Sequence, residues 1–341
     1  VSLAASTVVE AARVSNLAVD AAAIAWAISL VAFAADAAFG GRSSARSAAL
    51  VGGAVVRVPA GSHPSPAGDG DGPSHPGSST GRGAAATSAG HAFGPSRAAR
   101  IGWSVFVLGT VLLAVAVVAR GVAAGRVPWG NMYEFAITGA LVSAVVLLVV
   151  RRRFDVAALA VWVNATLLLT LGLAITVLYV PAGPLVPALQ SPWLVVHVAA
   201  AIVAAAVFTV SMVASALFVV RDRAERRGST GRYVARLPSA AALDRLAYRT
   251  VAFAFPIWSF AIVAGAIWAQ YSWGRYWGWD PKEVWSFISW VCYAAYLHAR
   301  TTAGWRGRRA AVVNLVAYAT MLFNFFGVNI VFEGLHSYGG L

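Results

Sequence analysis

The chain has 341 residues, 59% of them hydrophobic and 11% charged, with a formal net charge of +13 and a mean hydropathy of +0.71. A soluble globular domain carries about 25% charged residues, so this composition excludes a soluble fold and predicts an all-α polytopic integral membrane helical bundle. The positive charge does not point to nucleic acid as a partner, because the Arg residues scatter over short loops beside apolar stretches and form no recognition motif.

A membrane span needs about 20 largely apolar residues. Eight stretches qualify, near 17–39, 101–119, 134–150, 156–180, 193–220, 250–269, 281–299 and 311–331. The first has no basic leader and no small-residue cleavage site, so residues 1–40 are expected to form a retained first transmembrane helix. Residues 41–100 are rich in Gly, Ser, Pro and Ala with almost no large apolar side chains. Such a segment cannot bury enough surface to offset its ordering entropy, and a disordered basic cytoplasmic insert is expected there. His63, His75 and His91 fall in it without metal-ligand spacing. Residues 101–341 then form one transmembrane domain.

Within that domain, His197 stands in "SPWLVVHV", about one turn into the fifth span. After the sixth span comes "WGRYWGWDPKEVWSFISW", residues 273–290, with five Trp in eighteen positions. An interfacial aromatic belt accounts for one or two such rings, not for five. The seventh helix is expected to begin in "DPKE", with Asp280 as N-cap, Pro281 at the first helical position and Glu283 completing a capping box. From there, a rise of 1.5 Å per residue carries His298 about 26 Å along the helix, close to the far boundary of a core about 30 Å thick. His336 stands in "FEGLHSYGG", just beyond the eighth span. The single cysteine, Cys292, lies mid-span and excludes an internal disulfide, a C-x-x-C pair or a C-x-x-C-H haem attachment motif within this chain.

Basic residues give the orientation. Six Arg lie in 40–100, three at 151–153, eight within 221–249 and four within 300–309, whereas Arg13, Arg120, Arg126, Arg275 and Lys282 fall on the other side. The positive-inside rule then places both termini outside, together with His197, His336 and the Trp-rich segment. An intramembrane histidine is a functional-site hypothesis by default. Two outer histidines could approach one iron from opposite faces. Stacked Trp rings suit the broad apolar faces of a haem, and Arg275 or Lys282 could meet its propionates. A zinc site is disfavoured, since no Cys, Asp or second close His completes a tetrahedral set.

The same residues resemble a known family. "WGRYWGWDPKEVWSFISW" resembles the WWD signature of membrane haem-handling proteins. "SPWLVVHV", "YLHAR", "GVNIVFEGLHSYG" and "PWGNMYEF" at 128–135 resemble segments of the CcsA or ResC type, the haem-handling subunit of System II cytochrome c synthase, also called CcsB in some bacteria. The resemblance covers roughly 101–341, with an outer WWD segment at 270–290. It implies that haem b is both substrate and cofactor, with His197 and His336 as its outer axial iron ligands, presenting it for covalent attachment to an apocytochrome. His298 would ligate iron at the entry site. Trp273, Trp277, Trp279, Asp280 and Trp285 would be cofactor-binding residues. No acid, base or nucleophile is assigned to the chain itself; the chemistry resides in haem and in reduced C-x-x-C-H thiols. The partners implied are a CcsB or ResB-type membrane subunit, the apocytochrome c and thiol-reducing proteins, at a bacterial cytoplasmic membrane. Two other readings stay open. A System I haem-delivery protein shares the WWD signature, and a polytopic transporter without haem would use the Trp as a belt and the His as a proton relay.

Overall fold

The computed structural model describes residues 3–52, 96–154, 156–228, 231 and 233–336, and among them there are helices and short turns but no strand. Eight main helices follow in order: α1 Leu3–Gly52, α2 Arg97–Ala124, α3 Met132–Val150, α4 Ala157–Thr176, α5 Pro192–Arg226, α6 Ala240–Trp273, α7 Pro281–Thr301 and α8 Arg308–Leu322. A π turn, Phe323–Gly327, carries α8 on into a last helical turn, α9, Val328–Val331. Seven of these segments are long and apolar enough to cross a membrane, α8 to α9 counting as one. The segment outside that set is α7, whose 21 residues still reach about 30 Å at 1.5 Å per residue, with Lys282, Glu283, His298 and Arg300 placed near its two ends. The first helix continues to Gly52, into the segment expected as an insert, and α2 takes up its last residues from Arg97; residues 53–95, with His63, His75 and His91, lie outside the described residues.

Helix ends follow local chemistry. Ser96, Asn131, Ser191, Ser239 and Asp280 each accept a backbone N–H as N-cap, and Gly125 and Gly274 close α2 and α6 in the left-handed region, at φ 63° and 71°, where a Cβ would be strained. Pro256 interrupts α6 without ending it.

In lipid the helices gain little from apolar contact as such, so close packing and interhelical hydrogen bonds must hold them together. Along α1 and α2, Ser15 donates to the Ala116 carbonyl at 2.9 Å, Ser29 to that of Gly102 at 2.9 Å and the Trp26 indole to that of Phe106 at 3.2 Å. The Asn164 amide fixes α4 to α1 through the Trp26 carbonyl at 3.0 Å. A second core joins α5 to α8: Phe208 and Tyr293 stack with ring centroids 3.7 Å apart, and Asn314 donates to the hydroxyls of Ser211 and Ser215, both at 2.7 Å. At the end carrying most of the arginines, Asp244 accepts from Arg300 at 2.6 Å and from the Gly307 N–H at 3.2 Å, tying the start of α6 to the α7–α8 connection. At the opposite end gather the α2–α3, α4–α5 and α6–α7 connections and the segment after α9. That end holds the candidate site.

Close approach of α1 and α2 requires small residues. A Cβ on Gly109 would lie 2.5 Å from Cδ1 of Trp26, whereas one on Gly139 in α3 would meet nothing within 4 Å. Gly109→Ala is therefore expected to destabilise the bundle by about 1–3 kcal/mol through overpacking, and Gly139→Ala to leave it unchanged or slightly more stable. Thermal unfolding in detergent checks this; equal midpoints for the two variants would show that the α1–α2 contact is not tight.

Candidate functional site

His197 and His336 line one cavity of about 180 Å³ at this end of the bundle, together with Trp129, Trp258, Trp268, Trp277 and Lys282. A single water needs about 10–15 Å³ of such space, so the cavity is scaled for an organic ligand. The sequence brings the two histidines there from distant elements, the first turns of α5 and the segment after α9.

Each imidazole is held by its Nδ1. That of His197 lies 2.7 Å from the Ala261 carbonyl of α6, and because a carbonyl only accepts, Nδ1 carries the proton. The close approach depends on Gly265, where a Cβ would fall 2.7 Å from the imidazole. That of His336 lies 2.7 Å from Oδ2 of Asp280 and donates to the carboxylate. Both rings therefore keep Nε2 as the free lone pair, the tautomer that an acceptor fixed at Nδ1 imposes on a metal-binding histidine. Trp268 joins them: it stacks along His197 at 6.1 Å and 12° and meets His336 edge-on at 5.4 Å. Its own indole N–H donates to the Ala188 carbonyl at 2.9 Å, which fixes the ring to the α4–α5 connection.

Asp280 organises the second half. It caps α7 by accepting the Lys282 N–H at 3.2 Å, with Glu283 completing the expected capping box, and it also accepts the Leu335 N–H at 2.7 Å. Burial pushes its carboxyl up, but the hydrogen bonds from His336, Leu335 and Lys282 outweigh this and hold it below the usual aspartate range. The tether thus remains ionised until the pH falls below that range.

The other expected site residues divide. Trp277 lines the cavity. Trp273 stands behind His336 at 4.8 Å and is not on the cavity wall. Trp279 has φ 61°, a strained conformation for a residue with a Cβ, and is 70% exposed. Trp285 points along α7 onto Phe323 at 4.3 Å, so it supports the π turn and does not line the cavity. His298 is at the far end of α7, exposed, its Nδ1 3.4 Å from the Thr302 hydroxyl. Arg275 donates to Glu283 at 3.1 Å and is not on the wall, whereas Lys282 is. Among the described residues no group of three or more His, Cys, Asp or Glu converges as on a bare metal ion. Two free Nε2 atoms among aromatic walls instead fit a macrocycle-bound iron. Trp268, Trp258, Trp129 and Gly265 are site residues that the sequence did not single out.

The site is framed by two similar loops. After Trp129, the Gly130 N–H donates to Glu134 at 2.8 Å, Asn131 caps α3 by accepting the Glu134 N–H at 2.9 Å, and Arg126 pairs with Glu134 at 2.7 Å. After Trp277, the Gly278 N–H donates to Glu283 at 2.7 Å, Asp280 caps α7, and Arg275 pairs with Glu283. In both, an Arg lies eight residues before the Glu it binds. Glu134 is also paired with Arg120 at 3.0 Å, both side chains being almost wholly buried, while the Arg275 side chain is 32% exposed.

This difference sets an expected order of stabilities. Glu134→Ala strands a buried guanidinium and should cost about 3–5 kcal/mol, whereas Glu283→Ala leaves loop N–H groups and a partly solvated Arg and should cost about 1–3 kcal/mol. Thermal unfolding of the two variants decides it; a smaller loss for Glu134→Ala would contradict the ranking.

Comparison with known proteins follows the same residues. The family model described as "Cytochrome C assembly protein" matches residues 129–336, beginning on Trp129 and ending on His336. Proteins called "Cytochrome c biogenesis protein CcsA" are similar over much of the chain: that of Guillardia theta is 32% identical over 71% of this chain and 86% of its own length, and that of Parasynechococcus marenigrum 37% over 68% and 84%. The Chlamydomonas reinhardtii protein of the same name is 41% identical over a shorter region, 46% of this chain and 44% of its own. Since the match brackets the cavity and the similarity extends over most of the chain, this protein belongs to the cytochrome C assembly protein family, as a member of the CcsA type.

Proposed function

We propose that the chain acts in cytochrome c maturation by holding haem b between His197 and His336 and presenting it for covalent attachment to an apocytochrome c. The observation that carries this reading is the shared tautomer: both imidazoles have Nδ1 occupied by a fixed acceptor and Nε2 free at one aromatic cavity. When bound, haem supplies vinyl groups across which the S–H of each reduced C-x-x-C-H cysteine adds, sulfur to one carbon and hydrogen to the other. The residues of this chain contribute position. The Ala261 carbonyl and Asp280 aim the imidazoles, Trp268 and Trp258 supply apolar faces, and the two capped loops exclude water from the rim.

Orientation agrees with the charge pattern. The site end carries few basic residues, and Arg151–Arg153, Arg221, Arg223, Arg226 and Arg227 lie at the other, so the cavity opens on the outer face of a bacterial cytoplasmic membrane. His298, exposed at the inner end of α7, would hold haem through its iron where haem enters, and a CcsB or ResB-type partner in a System II synthase supplied by thiol-reducing proteins would contribute a further ligand there. The segment "YLHAR", which carries His298 after the Trp-rich stretch, favours this over a System I delivery protein.

His197→Ala and His336→Ala should each lower cytochrome c yield and change the haem absorption spectrum in the same way, and added imidazole should partly restore yield. Wild-type spectrum and yield in His336→Ala would exclude it as a ligand, and a wild-type complex purified without any haem absorption would favour a transporter. For the inner site, co-expression with the partner should give a low-spin bis-histidine spectrum that His298→Ala abolishes at that site. Stoichiometric bis-histidine haem at the inner site of the chain alone would contradict a ligand from the partner.

A further inference from the structure

We propose that Lys282 and the indole N–H of Trp258 form a carboxylate-binding edge of the cavity, which fixes the in-plane orientation of the porphyrin held between the two histidines through its acidic groups. The inference rests on the haem reading above and adds what sets the in-plane orientation.

Lys282 is the second residue of α7, and its side chain lines the cavity. Its Nζ donates to the carbonyls of Asn324 at 3.2 Å and Phe325 at 3.4 Å, both in the π turn. Wider turns of this type occur at functional sites. Among the described residues Lys282 forms no ion pair. The flanking acids are committed elsewhere, Asp280 to His336 and Glu283 to Arg275. An ammonium with only neutral carbonyl partners beside aromatic walls is incompletely compensated, and an anion arriving there would complete it.

Trp258 supplies the second, independent observation. It is 2% exposed, it lines the same cavity, and its Nε1 has no hydrogen-bond partner. A buried indole N–H normally finds an acceptor. Trp129, also on the wall, has its Nε1 unpartnered as well. Glu283 also reaches the wall, but Arg275 and the Gly278 and Asp280 N–H groups take up its carboxylate, and the Asn324 Oδ1 there is an unpartnered acceptor. With Glu283 so neutralised, one cation and two unmet N–H donors around a mostly apolar space match a ligand that is hydrophobic over its faces and anionic at one edge. Arg275, the other cation near the Trp-rich loop, is held by Glu283 and takes no part.

The test is titration of the full chain, purified with its partner subunit, with ferric protoporphyrin IX and with its dimethyl ester, followed by the Soret band. Wild type is expected to bind the free acid roughly tenfold more tightly than the diester, the size of one charge-assisted hydrogen bond. Lys282→Met should remove most of that preference, and a circular dichroism spectrum and thermal midpoint close to those of wild type show that the variant is folded. Lys282→Arg should keep part of it, and Trp258→Phe, which retains the ring and deletes the N–H, should reduce it severalfold. Equal binding of acid and diester by wild type, or an unaltered preference in both Lys282→Met and Trp258→Phe, overturns the carboxylate edge and leaves the histidine site standing. Binding of neither porphyrin by wild type overturns the site itself. The acid-to-diester ratio of wild type decides the matter even if a variant does not accumulate.

Discussion

The hydrogen bond between Asp280 and His336, 2.7 Å long, is the constraint on which the site depends. One carboxylate starts α7, receives the Leu335 N–H and orients an imidazole fifty-six residues later. The segment after α9 has little regular structure of its own to place a side chain. It is positioned because the N-terminus of a rigid helix presents an acceptor to it, and because Trp268 and Trp273 close around the ring from the side. Gly334 is part of the same approach, since a Cβ there would come within 2.6 Å of Oδ1 of Asp280.

The remainder of the cavity is arranged around that anchor by two loops that solve one problem in one way. A helix entering the membrane leaves its first N–H groups unmet. In both loops a capping side chain and a glutamate satisfy them, and an arginine neutralises the glutamate. The loops then become stiff enough to hold a tryptophan over the cavity from each side, Trp129 and Trp277. Stiffness here comes from polar chemistry at the membrane boundary, where apolar packing alone gives little direction.

Much of this was legible in the residues. The helical spans followed from length and apolarity, and the start of α7 from the Asp-Pro-x-Glu order, because capping chemistry is local. That His197 and His336 gather at one end could be inferred because ionisable side chains are rare within spans and the distribution of basic residues put both histidines on the same side. What escaped notice had no local signal. Trp258 and Trp268 lie in an apolar run where a ring facing lipid and a ring facing a cavity look the same, and Gly265 matters only because another helix brings an imidazole against it. The likeness of the two loops was hidden because the glycine precedes its glutamate by four residues in one and five in the other. Trp279 and Trp285 belong to the Trp-rich stretch by composition, yet the turn at Gly278 and the helical phase of α7 send them to solvent and to Phe323.

The two imidazoles are held by acceptors of different kinds. His336 leans on a side chain, so a single codon change at Asp280 removes its support. His197 leans on the main-chain carbonyl of Ala261, which every amino acid at that position would still provide. Alanine scanning will therefore read the two supports unequally, registering the one at 280 and leaving the one at 261, already an alanine, untouched. For His197 the vulnerable codon is instead that of Gly265, a residue that makes no hydrogen bond to the ring and has only to remain small.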